Sequence, residues 1–128
     1  MSRNGPLSNW KTQLRKGFLD LCILNHLAAR EFYGYDLVQQ LKEAEGTTMR
    51  EGIIYPVLAR LHEDGLVTSA KRPSHSGPPR KYYQITDDGR QALKEMNAHW
   101  RVMATAMEVS TDLNKEQKRC TERQIKNT

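Results

Sequence analysis

Cysteine is scarce in this 128-residue chain: Cys22 and Cys120 are the only two. Two thiols cannot build a disulfide framework or a cysteine-rich zinc site. Long apolar runs are missing as well. No stretch approaches the ~20 residues that cross a bilayer, and the opening Met-Ser-Arg-Asn-Gly-Pro has no apolar signal region, so the expected location is the cytoplasm. The arrangements that carry catalysis are also absent: no Ser-His-Asp order, no phosphate loop, no paired carboxylates between strand and loop. No cofactor and no metal is expected. Cys22 and His26 stand four apart, a ligand spacing in miniature, but no other Cys or His follows at a useful interval, and core packing is the simpler reading.

Acidic residues are missing from two stretches of a chain whose net charge is +5. The N-terminal arm carries Arg3, Lys11, Arg15 and Lys16 before the first acid, Asp20. From Lys71 to Lys81 there are Lys71, Arg72, Arg80 and Lys81, again without an acid. The region Asp36 to Asp64 mixes both signs. Excess cations permit a polyanionic partner without requiring one.

What is present is mostly helical periodicity. From about Lys11 to Arg30, Leu14, Phe18, Leu21 and Ala28 fall on one stripe, while Ile23, Leu24 and Leu27 fall on others. A helix apolar over so much of its circumference is buried on more than one side, and the extra face reads as a subunit contact. Phe32-Tyr-Gly-Tyr breaks the pattern. A second helix carries Leu37, Val38, Leu41 and Ala44 and ends near Gly46. Thr48-Met-Arg-Glu51 has the form of a capping box for a third helix, with Ile54, Leu58 and Leu61 as its core stripe and Gly65 as its stop.

Two helices so close in sequence make a helix-turn-helix. Leu66–Lys71 and Lys81–Ile85 read as strands flanking a Pro/Gly/Ser loop, which makes a basic wing. Thr86-Asp-Asp-Gly caps a last helix running to about Val109, in which Leu93, Met96, Trp100, Met103 and Met107 repeat at three, four, three and four. The expected architecture is mainly α with a small β-hairpin: an N-terminal arm (1–10), a winged helix-turn-helix (11–86), a long C-terminal dimerisation helix (87–111) and a polar, flexible tail (112–128).

Four motifs resemble the PadR family of bacterial transcriptional regulators. Tyr33-Gly-Tyr-Asp-Leu opens the second helix. Glu51-Gly-Ile-Ile-Tyr-Pro-Val-Leu-Ala-Arg-Leu matches the family's recognition helix. Glu63-Asp-Gly-Leu-Val matches the turn into its wing, and Arg80-Lys-Tyr-Tyr-Gln-Ile-Thr the returning strand. Gly-x-x-Tyr-Pro is the most specific of these, and the likeness runs from about Leu14 to Trp100. A single helix after the wing, with a tryptophan eleven residues beyond its capping glycine, resembles the smaller subclass that includes multidrug-sensing repressors. Two positions depart from the family pattern. Ile53 stands where a small polar residue is usual, and Gly77-Pro78 stands where Gly-Arg is common, which removes one phosphate contact.

The resemblance implies a homodimeric repressor on double-stranded DNA. Pro56, one third of the way into its helix, has Gly52 four residues earlier, so its ring meets the least constrained carbonyl available. Gly52 also lets backbone amides approach a phosphate. Arg50 is the candidate for a guanine edge and Ile53 for a thymine methyl. Tyr55 and Arg60 suit the DNA backbone. The expected DNA surface comprises Tyr33, Thr48, Arg50, Glu51, Gly52, Ile53, Tyr55, Pro56 and Arg60, with Lys71, Arg72, His75, Gly77, Arg80 and Lys81 of the wing. The expected dimer or effector surface comprises Leu14, Phe18, Leu21, Leu93, Met96, Trp100, Met103 and Met107. Trp100 is either plain interface packing or one wall of a slot for a small aromatic effector, which the methionines would make adaptable. A winged-helix protein-interaction module that binds no DNA remains the alternative, and it predicts a salt-insensitive partner.

Overall fold

The computed structural model describes residues 5–45 and 50–126. In chain order the elements are α1 (Pro6–Ala29), β1 (Phe32–Tyr33), α2 (Gly34–Glu45), α3 (Glu51–Glu63), β2 (Val67–Arg72), β3 (Arg80–Ile85) and α4 (Asp87–Lys126). They divide into two compact units, the first through Lys94 and the second from Glu95 onward.

The first unit holds the core. Leu19, Ile23, Leu24 and Leu27 of α1, Leu37, Val38 and Leu41 of α2, and Ile54, Leu58 and Leu61 of α3 are all buried. Each fully buried Leu or Ile contributes roughly 1.5–3 kcal/mol. The stripe expected on α3 is therefore the observed one. Leu93, expected at a subunit contact, also belongs to this core; it lies within the first two turns of α4, where the helix still packs on the winged unit.

α1 departs from the expected single helix beginning at Lys11. It starts at Pro6, which suits a first helical position, and it breaks at Lys16 (ψ 130°) and Gly17 (φ 80°). Only glycine adopts that φ without strain. The break separates Leu14, which is exposed, from Phe18 and Leu21, which are half-buried. The continuous stripe expected through these three is thus divided.

The wing is a hairpin in which Val67 pairs with Ile85 and Arg72 with Arg80. A third strand, unforeseen in the sequence, completes an antiparallel sheet of order β1-β3-β2. β1 is two residues long, with Phe32 opposite Tyr83 and Tyr33 opposite Tyr82, too short for a period of two to show. Gly65 (φ +76°) ends α3 as expected. Its N–H donates to His62 O and that of Leu66 to Leu61 O, closing the helix in the manner of a Schellman turn. Thr86 caps α4 by accepting from the Gly89 N–H at 3.0 Å, an interaction worth about 1 kcal/mol. The same hydroxyl donates to Gly65 O at 2.6 Å, so one side chain joins the end of α3 to the start of α4.

Two helix boundaries differ from expectation. The residue capping α3 is Arg50, through its backbone, and Glu51 instead meets Lys42 of α2 at 3.2 Å. Thr48 lies outside the described residues. At the other end, α4 does not stop near Val109 but stays helical to Lys126 where a flexible tail was expected. After Gly89 the chain has no Gly or Pro, and its last stretch is rich in Lys, Arg, Glu and Gln, which favour helix without any burial.

Candidate nucleic-acid interface

Because Ile54, Leu58 and Leu61 turn inward, the opposite side of α3 is left to solvent. There Glu51, Gly52, Tyr55, Pro56, Ala59 and Arg60 are exposed. The helix begins with the extended backbone of Arg50, whose carbonyl accepts from the amides of Ile53 and Ile54 at 2.9 Å each. No Cβ-sized obstruction lies near Gly52, so the first turn has an open, smooth approach. Pro56 sits inside an unbroken helix, with Gly52 at the position its ring faces.

Tyr55 of α3 packs beside Gly34, near the Tyr83 ring of β3. A Cβ placed on Gly34 would lie 3.4 Å from the Tyr55 ring and hydroxyl and 3.2 Å from the Tyr83 ring. Both phenols are pushed above their ordinary pKa. For Tyr55 the first cause is burial, followed by the neighbouring Tyr83, Tyr33 and Glu51; for Tyr83 it is burial alone. A raised phenol pKa means that folding favours the neutral form. Its contribution is fully present below the unfolded value of about 10 and is lost as pH climbs through the higher folded value. The urea midpoint is therefore expected to fall at alkaline pH, above about 10. Tyr83→Phe, which has no phenol to ionise, should blunt that fall when midpoints are measured across the range.

In the hairpin, alternation sorts the cations onto two faces. Lys71 and Lys81 are direct cross-strand partners, on the face of Tyr83 and hence on the side toward α3. Both are exposed, and Lys81 Nζ lies 5.6 Å from the centre of the Tyr83 ring. Arg72 and Arg80, also cross-strand partners, share the other face with Tyr82 and Tyr33. The Arg80 guanidinium stands 4.8 Å over the Tyr33 ring, and that of Arg72 stands 4.8 Å over Tyr82. His75 is exposed in the loop. At the same tip Ser74 Oγ donates to the carbonyls of Gly77 and Pro78 at 3.1 and 2.9 Å.

Two arginines expected to lie along a DNA backbone form ion pairs within the protein while their side chains stay partly exposed. Both nitrogens of the Arg60 fork donate to Asp20 of α1, at 2.9 and 2.7 Å. Asp20 keeps the guanidinium firmly protonated, first by the hydrogen bond and then by charge. Arg72 closes a similar fork on Glu31, whose Oε2 it reaches at 2.6 Å. Gln84 donates to the same oxygen at 2.6 Å. Glu31 is held below the ordinary carboxylate range first by Arg72 and then by Gln84. The carboxylates were missed in sequence because they stand 40 and 41 residues from their partners, and no local pattern connects them. Ile53 also turns out differently: half-buried, it lines a cleft of about 310 Å³ with Val57, Leu19 and Arg15, facing α1.

On α3 the structure leaves Arg50, Gly52 and Tyr55 exposed, and on the hairpin Lys71 and Lys81, while Arg60 and Arg72 form ion pairs within the protein and Ile53 is half-buried beside α1. In the second unit Trp100, Met103 and Met107 are exposed and Met96 is half-buried. His26 Nδ1 lies 2.7 Å from the Cys22 carbonyl oxygen, as a donor to it. Among the described residues no three His, Cys, Asp or Glu side chains cluster as a metal site, and no helix is long and apolar enough to cross a membrane.

The chain is similar to known proteins. Residues 23–95 match the Transcriptional regulator PadR-like family. The transcriptional regulator Rv3488 of Mycobacterium tuberculosis is 37% identical over 83 residues, covering 65% of this chain and 76% of that protein. The negative transcriptional regulator PadR of Bacillus subtilis is 32% identical over 79 residues, which span 60% of this chain and 43% of that protein. The X-ray structure of a PadR-like transcription factor from Bacteroides fragilis superposes with a TM-score of 0.66 at 40% identity, covering 78% of this chain and 96% of that one. With the family's span falling on the helix-turn-helix, the wing and the start of α4, this chain belongs to the PadR-like family of transcriptional regulators, and it is not an enzyme.

Proposed function

We propose that the protein is a homodimeric, sequence-specific DNA-binding repressor that works in the cytoplasm. The N-terminal turn of α3 would enter the major groove, with the Lys71–Lys81 rung on the flanking phosphates. One observation carries this reading more than any other. Two lysines stand directly opposite each other on the α3 side of the wing, where like charges destabilise a hairpin. A phosphate backbone lying against the rung turns that repulsion into attraction.

Repression is supported by the name of the Bacillus subtilis relative, a negative transcriptional regulator. The dimer is supported by Leu14, Trp100, Met103 and Met107, large apolar side chains left more than half exposed or nearly so, at the positions expected for subunit contact. Two copies would set two recognition helices on a pseudo-palindrome about one turn apart. A small aromatic effector between Trp100 and its surrounding methionines would act only by binding differently to DNA-competent and DNA-incompetent dimers. Equal operator affinity with and without effector would end that part of the reading.

The test is fluorescence anisotropy of a labelled fragment taken from upstream of the protein's own gene, against unrelated DNA, over a salt series. Specific binding that weakens with salt is expected. Lys71→Ala and Lys81→Ala should each weaken binding to both DNAs alike and flatten the log–log salt slope by about one. Equal affinity for both DNAs would leave only a basic surface, and no binding to either would favour the protein-interaction module.

A further inference from the structure

Along one flank of α3, beside the break in α1, runs the cleft of about 310 Å³, which neither the core nor the proposed DNA contacts use. Ile53 and Val57 stand one helical turn apart in its wall. Both are half-buried and lie outside the inward stripe Ile54–Leu58–Leu61. Leu19 of α1, 2% exposed, is the most buried side chain of the lining. The apolar part of the lining is thus aliphatic throughout, without an aromatic ring.

The charges of the lining do not balance. Asp20 is its one acid, and both carboxylate oxygens accept from the Arg60 fork, at 2.7 and 2.9 Å, so that pair cancels. Arg15 and Lys16 are left over. Among the described residues no carboxylate pairs with either. Lys16 is exposed and Arg15 half-buried, which places them nearer the mouth than Leu19. Their placement depends on Gly17. A Cβ there would meet nothing within 4 Å, so the glycine serves its φ of 80° and not a need for space.

Cations at the mouth over aliphatic side chains match a ligand with an anionic head and an aliphatic body. A carboxylate fits the Arg15 fork through both oxygens. An inorganic anion would leave the aliphatic wall uncovered, and an alcohol would leave the cations unanswered. An aromatic body would find no ring to stack on. The volume is at the small end of ligand sites, which keeps the chain short. We infer that the cleft binds a medium-chain aliphatic carboxylate, its head on Arg15 and Lys16 and its chain along Leu19, Ile53 and Val57.

Two of the wall residues belong to α3, so a ligand seated there bears on the helix proposed to enter the groove. This second step rests on the DNA reading above: carboxylate and operator alter each other's affinity by the same factor. The experiment is calorimetric titration of octanoate into the full chain, beside octanol, octylammonium, inorganic phosphate and benzoate. One octanoate per chain is expected, with a higher melting temperature in its presence. The other four should bind at least about tenfold more weakly. Arg15→Gln should weaken octanoate by about tenfold and leave octanol unchanged. Val57→Phe sets a ring in the cleft and should abolish octanoate binding while melting at or above wild type. Lys71→Ala, on the wing, should bind octanoate as wild type does.

No octanoate binding by wild type, or binding that survives both cleft variants, would overturn the site. Equal binding of octanol or phosphate would do the same, and tighter binding of benzoate would overturn the aliphatic assignment. If Val57→Phe proves unstable, Arg15→Gln at the mouth decides. Operator anisotropy with saturating octanoate then reads the link to α3, with a shifted Kd expected in wild type and none in Arg15→Gln. Octanoate that binds without shifting the operator Kd overturns the link and leaves the site. Operator binding absent with and without octanoate is the failure of the DNA reading, and the calorimetry, which contains no DNA, is untouched by it.

Discussion

Gly89→Ala is expected to lower the melting temperature by about 10 °C. Gly89 is buried at the third position of α4, where its N–H is held by Thr86. A Cβ there would run into the Leu66 carbonyl oxygen and would sit 2.7 Å from Ile85 Cγ1 and 3.0 Å from the Leu66 carbonyl carbon. The first and last of these are backbone atoms and cannot rotate away. The Leu66 carbonyl also accepts from Thr86 N–H at 3.0 Å, so any retreat loosens the joint between α3, β2 and α4. Overpacking of this kind costs typically 1–3 kcal/mol, and a domain of this size loses about 3–6 °C per kcal/mol.

The control is Gly52→Ala. Its Cβ would point into open space within α3, so it should raise stability by roughly 0.5–1 kcal/mol. On the proposed docking it should also weaken DNA binding, because the added methyl stands between α3 and the groove. Calorimetry on the two variants decides the first point. If Gly89→Ala melts with wild type, the tight seat beneath α4 does not hold.

Arg50→Ala is expected to reduce affinity for the specific site by about 10- to 100-fold, the equivalent of a bidentate guanine contact worth about 1–3 kcal/mol. Arg50 is exposed and stands immediately before the first turn of α3, the part of a recognition helix that reaches base edges. It caps the helix through its backbone and makes no side-chain cap bond, so the melting temperature should not move. Binding to unrelated DNA should change by far less. Arg50→Lys separates charge from geometry: an ammonium keeps the attraction but lacks the planar fork, and it should recover non-specific binding more than discrimination. An equal loss on both DNAs would make Arg50 a phosphate contact, and no loss on either would remove α3 from the interface.

The proximity of two arginine–carboxylate forks to this surface also shapes which side chains to mutate. Arg60 and Arg72 are the most obviously basic residues of their elements, yet each is tied to a carboxylate of a distant segment. Removing either would disturb the seating of α3 on α1 or of the wing on the β1 approach. A loss of DNA binding in those variants would therefore not by itself locate a contact.

Much of this molecule is determined by short-range chemistry that one sequence displays in full. The inward stripe Ile54–Leu58–Leu61 follows from the helical period, the stop at Gly65 from the left-handed turn it adopts, the cap at Thr86 from a hydroxyl three residues before an open amide, and the hairpin from β-rich segments around a Pro/Gly loop. Tertiary structure alone decided three other things. It broke α1 at Gly17 and divided the Leu14–Phe18–Leu21 stripe. It recruited Phe32 and Tyr33 as a third strand beside β3. It also decided which cations are ion-paired, giving Arg60 to Asp20 and Arg72 to Glu31, and set Lys71 opposite Lys81 in the hairpin. The physical reason is range. Caps, turns and apolar periods act over a few residues, so their partners are neighbours in the text. An ion pair between side chains 40 residues apart exists only after packing has set their elements side by side.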